Sequence, residues 1–191
     1  TVEESLVQYL QALVLVHALH RRLGFPGERP GVVFNLSVGY DLAGLRRPNM
    51  QWFLEHARRP GELLARAVAA VARHLEEAAE VELPESLGDT VTLSTMHGCP
   101  PDEIGRIATY LMREWGLHTA VKLNPTLLGP ERLRHLLDDR LGWRHVRVPD
   151  AAFAHDLRYA DALDLVRDLA GEAARAGVGF SLKLSNTHEV E

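Results

Sequence analysis

The sequence predicts an α/β protein built on a parallel (β/α) barrel of the TIM type. Three observations carry this. Predicted strands and helices alternate, with strand starts recurring about every 25 to 35 residues. Each of the last three predicted helices ends at a glycine, Gly116, Gly142 or Gly177, the usual residue for a left-handed helix C-cap. The strands alternate apolar and polar residues, whereas central strands of an open parallel sheet are apolar on both faces. A polar inner face near the strand ends suits a barrel with a ligand site at its C-terminal mouth.

The elements follow in order. Residues 3–24 read as an N-terminal helix, with Leu6, Leu10, Leu13, Val14, His17 and Leu23 near helical spacing. Gly24 to Gly31 is a turn-rich connector, followed by a strand at 32–38 and a loop holding Gly39-Tyr40-Asp41 and Pro48-Asn49. Trp52 and Phe53 are expected to pack in the helix after that loop. A helix over 61–80 and a linker at 82–89 precede the regular part. There the predicted strands are 91–95, 119–123, 144–148 and 178–184, and the predicted helices are 102–115, 130–141 and 157–176. Asp102 can cap or charge-stabilise the helix it opens. This makes five strands, where a full barrel has about eight. The first residue is Thr1 and not Met. The expectation is therefore a partial barrel cut from a longer polypeptide, with residues 1–191 forming one barrel domain or a fragment of one.

Composition narrows the function. The net charge is −5 with 25% charged residues, which gives no bulk attraction to nucleic acid or to an acidic membrane. No apolar run approaches the roughly 18 residues of a membrane span. No secretory leader is visible, so a cytoplasmic setting is expected. The single cysteine, Cys99, excludes an internal disulfide and any cluster ligated by this chain's cysteines alone. The ten histidines lack HxxxH or HExxH spacing, so no metal site is expected.

The candidate chemistry lies on the polar strand positions. Lys122, Lys183 and Arg147 are read as inward-facing cations, costly unless a ligand or a carboxylate such as Asp41 or Asp150 pairs with them. They suggest an anion site for a phosphate, a carboxylate or the anionic edge of a cofactor. Cys99 follows a strand and precedes a helix. A thiol near a helix N-terminus is expected to be acidified and to act as base or nucleophile, with His97 as its partner or as a ligand contact. Asn35, Asn124 and Asn186 lie at or near strand ends, where amides suit a ligand with both donors and acceptors. Turn chemistry is the competing explanation, since Asn before Pro125 is a common terminator.

Four runs carry a family resemblance: Phe34-Asn-Leu-Ser-Val-Gly-Tyr-Asp41, Leu93-Ser-Thr-Met-His-Gly-Cys-Pro-Pro101, Val121-Lys-Leu-Asn-Pro-Thr-Leu-Leu-Gly129 and Lys183-Leu-Ser-Asn-Thr187. They resemble the selenate reductase-like large subunit, an iron–sulfur flavoprotein relative of glutamate synthase. Its barrel region in turn resembles the FMN-binding barrels of dihydroorotate and dihydropyrimidine dehydrogenases. The resemblance implies a flavin-dependent oxidoreductase with FMN in the barrel and with FAD, NADPH and [4Fe-4S] clusters elsewhere in the parent. It implies Cys99 as the catalytic acid or base, Lys122 against the flavin ring, and Asn186 and Thr187 facing substrate or the flavin edge. Lys183, Asn124 and Asn35 join the expected cofactor contacts, and Arg147 the substrate contacts. Met96 and Pro101 stand where that family's cysteine loop carries asparagines, so pyrimidine specificity does not carry over. The chain also stops before the glycine-rich loops that hold the FMN phosphate in such barrels, which leaves open whether these residues bind flavin by themselves.

The expected partners are the remaining domains or subunits of the parent, a small-molecule substrate and, through exposed strand edges, a second copy of the chain. Two other readings stand beside the oxidoreductase. One is a Schiff-base lyase using Lys122 or Lys183, each lowering the other's basicity. The other is a barrel without cofactor that serves as a scaffold for flavin and iron–sulfur domains.

Overall fold

The computed structural model describes residues 1–94 and 99–184, apart from the side chain of His155. These fall into two compact units, Thr1–Leu36 with Ala43–Asp89, and Ser37–Leu42 with Thr90 onward.

The first unit is helical. Helix α1 spans Val2–Arg22 and opens with the Thr1 side chain accepting from the Glu4 N–H, which satisfies one of the free amides of the first turn. Leu6, Leu10, Leu13, Val14 and His17 form its buried stripe, the periodicity read from the sequence. This stripe packs on α3 (Pro48–Arg58) and α4 (Glu62–Ala72). Tyr9 meets Phe53 edge to face at 6.5 Å between ring centres. The short α2 (Leu42–Leu45) precedes α3 in the chain. The helix expected over 61–80 is broken. The α-helix ends at Ala72, Leu75 is extended, and a 3-10 turn covers Glu76–Ala79.

The second unit carries the parallel sheet, with strand order β1-β2-β3-β4. Strand β1 is Asn35–Val38, β2 Thr90–Ser94, β3 His118–Leu123 and β4 Phe180–Leu184. Between them run α5 (Pro101–Arg113), α6 (Pro130–Arg134, continuing as a π-helix over His135–Arg140), α7 (Asp150–His155) and α8 (Tyr159–Ala176). The alternating β/α order and the parallel pairing agree with the expected fold class. Val91, Leu93, Val121 and Leu123 are buried, and Lys122, between two of them, is half-buried on the opposite face. Helix α5 presents Ile104, Ile107, Ala108 and Leu111 to the core and packs on α8. A Cβ at Gly105 would lie 3.4 Å from the Leu165 side chain, an ordinary contact, so the two helices pack closely at this point. Gly177 closes α8 in the left-handed conformation, φ 69°, its N–H bonding to the carbonyls of Ala173 and Ala174.

One expected strand is absent. Residues 144–148 hold no strand; the Val146 N–H instead closes a turn onto the Trp143 carbonyl at 3.0 Å. The four-residue alternation His-Val-Arg-Val is too short to overcome the turn imposed between Gly142 and Pro149. Four strands, not five, are present among the described residues.

Candidate functional site

The polar face of the sheet assembles a transverse row. Register places Ser94 of β2 beside Lys122 of β3, and Lys122 beside Lys183 of β4. On the other side, Ser37 Oγ of β1 lies 2.9 Å from Ser94 Oγ. Neighbouring strands lie about 4.8 Å apart, so this row of two hydroxyls and two ammonium groups spans roughly 14 Å. Lys122 is half-buried and Lys183 exposed. Two like charges on adjacent strands repel. The expectation for the two lysines rested on strand phase, and the register sets them side by side on β3 and β4. Ser37 and Ser94 were missed: both read as ordinary polar strand residues, and their contact joins positions 57 apart in the chain.

At the end of β3 the chain turns through Asn124 and Pro125 into a 3-10 turn, Pro125–Leu128. The Asn124 amide nitrogen donates to Asp156 Oδ1 at 3.2 Å, and the Thr126 hydroxyl donates to Asp156 Oδ2 at 2.5 Å. Thr126 is buried. Asp156, on the loop between α7 and α8, thus clamps the loop after β3. Part of the donor capacity expected to serve a ligand at Asn124 is used inside the protein. Asp156 left no local signal, being 32 residues from Asn124. Asn35 is exposed at the start of β1, two residues before Ser37 and so on the same face of that strand.

Cys99 is half-buried just before α5. Its surroundings reverse the expected acidification. Burial, then Glu103 and then Asp102 push the thiol above its ordinary value, and Arg106 only partly opposes them. Glu103 is held there by ion pairing with Arg106 and by accepting the Leu42 N–H at 3.2 Å. Burial first, and the two first-turn carboxylates after it, favour the thiol over the thiolate.

Arg147 is also corrected. It is exposed, off any strand, and its guanidinium lies 3.9 Å from Asp138 Oδ2, so it is not an inward cation beside the lysines. Asp150, the other carboxylate considered for these cations, pairs with Arg134. His97, Asn186 and Thr187 lie outside the described residues. Among the described residues no three His, Cys, Asp or Glu side chains converge in a metal-binding cluster, and no helix is long and apolar enough to cross a membrane.

The family model for the N-terminal TIM-barrel domain of oxidoreductase YgfK matches residues 1–191. Two curated proteins, each named "Putative oxidoreductase YgfK", come from Escherichia coli strain K12 and Escherichia coli O157:H7. Each is 37% identical over 199 residues, a match that covers 94% of this chain. The chain spans 19% of the length of these relatives. No solved structure matches. With a full-length family match and the parallel β/α order in agreement, the chain belongs to the family of oxidoreductase YgfK N-terminal TIM-barrel domains.

Proposed function

We propose that this barrel domain receives the redox-active ring of a flavin within a multi-cofactor oxidoreductase. The observation that supports it is the in-register row Ser94, Lys122 and Lys183, extended by Ser37. The residues present suit the electron-rich edge of such a ring: two ammonium groups and the one hydroxyl hydrogen not spent between Ser37 and Ser94 offer donors on one sheet face where a reduced ring concentrates negative charge. A bound flavin would supply the hydride chemistry. The protein's part is to hold that charge at Lys122 Nζ and Lys183 Nζ. Cys99, kept as a thiol by burial and its acidic neighbours, is suited to give a proton from Sγ. Full-length protein purified under mild conditions should be yellow and release FMN on denaturation, and Lys122→Ala should lower FMN retention at least tenfold. A colourless protein with no recoverable FMN refutes the proposal.

The scaffold reading has one observation behind it, the commitment of Asn124 to Asp156. It prevails if FMN is absent and if Lys122→Ala and Cys99→Ala leave the activity of the full-length protein unchanged.

A further inference from the structure

The helical unit has a cleft of its own. A cleft of about 260 Å³ lies between α1 and the segments that lead into β1 and β2. Its apolar walls include Leu13, Pro30, Phe34, Pro84 and Leu87. The wall is fixed by a close backbone approach: any side chain at Gly88 would collide with the Phe34 carbonyl oxygen. Arg29 at the rim is tied to Glu82 at 2.5 Å, strapping one leading segment to the other.

His17 also lines this cleft, and it is only 8% exposed. Its Nδ1 lies 2.9 Å from the Leu13 carbonyl oxygen. A carbonyl oxygen has no proton to give, so Nδ1 must carry the hydrogen. In the neutral ring Nε2 is then an acceptor. No described residue donates to it, and it is not sealed from solvent. With Nδ1 turned back onto α1, the ring edge bearing Nε2 is the one left to line the cleft. Water is the partner left to it there, and a donor carried on an apolar ring can take that water's place.

The wall chemistry selects the occupant. The rim guanidinium is already neutralised by Glu82, and Asp89 adds negative charge to the lining, so an anion gains little here. The volume falls just below the roughly 300–1,000 Å³ of sites for drug-sized ligands, which suits one ring and excludes a dinucleotide. Two proline rings and Phe34 offer flat apolar surfaces. We propose that this cleft is a binding site for a small, uncharged single-ring molecule that donates an O–H or N–H hydrogen bond to His17 Nε2.

The test uses full-length protein and two probes, 4-fluorophenol and fluorobenzene, which differ only in the hydroxyl. Both are titrated by fluorine NMR. The expected result is that 4-fluorophenol binds about tenfold more tightly than fluorobenzene, the scale of one hydrogen bond to a buried acceptor. His17→Phe should bring that preference close to one. Ser86→Trp, which sets a bulky ring on the wall of the cleft, should abolish binding of both. Binding of neither probe to the wild type, a hydroxyl preference that survives His17→Phe, or binding that survives Ser86→Trp would each overturn the proposal. If the His17 variant does not fold, Ser86→Trp and the wild-type preference decide it. None of these readings involves flavin, so they stand apart from the proposed redox site.

Discussion

The Asp156 clamp offers a quantitative test of how the loop after β3 is held. Thr126→Val is nearly isosteric and deletes one hydroxyl donor from a buried position. The bond it removes runs to a carboxylate, and such bonds contribute about 1.5–3 kcal/mol. Asp156→Ala removes the acceptor for both Thr126 and Asn124. It orphans a buried hydroxyl and a half-buried amide, at about 1–3 kcal/mol for the first and less for the second. If Thr126 acts through Asp156, the two changes overlap. A double-mutant cycle should then give a coupling of at least about 1 kcal/mol. The assay is hydrogen exchange read by mass spectrometry on peptides covering residues 124–128, because global unfolding of a multidomain protein is not two-state. Each 1.4 kcal/mol appears as a tenfold faster exchange of amides that open with the loop. Peptides from α1 should be unchanged. Coupling below about 0.3 kcal/mol, or exchange accelerated equally in α1, refutes the clamp.

Two further outcomes follow from the same structure. Gly177→Ala meets no steric obstacle, since nothing lies within 4 Å of a Cβ there, but it forces φ of 69° on a residue with a side chain. Exchange at the C-terminal turn of α8 should quicken by an amount equivalent to about 1 kcal/mol; unchanged exchange contradicts the left-handed cap. For Cys99, alkylation by iodoacetamide should show a midpoint pH above that of a free thiol, and Glu103→Gln should move it down, since burial, Glu103 and Asp102 all raise it. The folded state holds this proton more tightly than the unfolded chain. The contribution to stability is therefore complete below the unfolded thiol value and is lost as pH rises through the folded one. A midpoint below that of a free thiol would contradict the raised value.

What could be read in advance depended on how local the cause was. In β3, Thr119, Val121 and Leu123 are buried and Lys122 is not, so two-residue periodicity was enough to assign the faces. Gly116, Gly142 and Gly177 all take positive φ, since helix termination is decided within one turn. Residues 144–148 failed because alternation over four residues is equally compatible with a turn. The Cys99 environment failed for another reason: a helix terminus favours a thiolate, but the sign of the result depended on where the Glu103 side chain settled, and that is fixed in part by the Leu42 N–H. Ser94 and Asp156 were illegible as site residues because their partners, Ser37 and Asn124, are distant in the chain.

The contact between Ser37 and Ser94 has a consequence for what can sit against the row. Either hydroxyl can be the donor, and exchanging the roles needs only rotation about two Cβ–Oγ bonds, with the strands unmoved. A molecule that gains a proton often turns an accepting atom into a donating one. Fixed amides would then oppose one of the two forms. A reversible hydroxyl pair meets both, so one rigid sheet face can receive the same molecule before and after it changes its protonation.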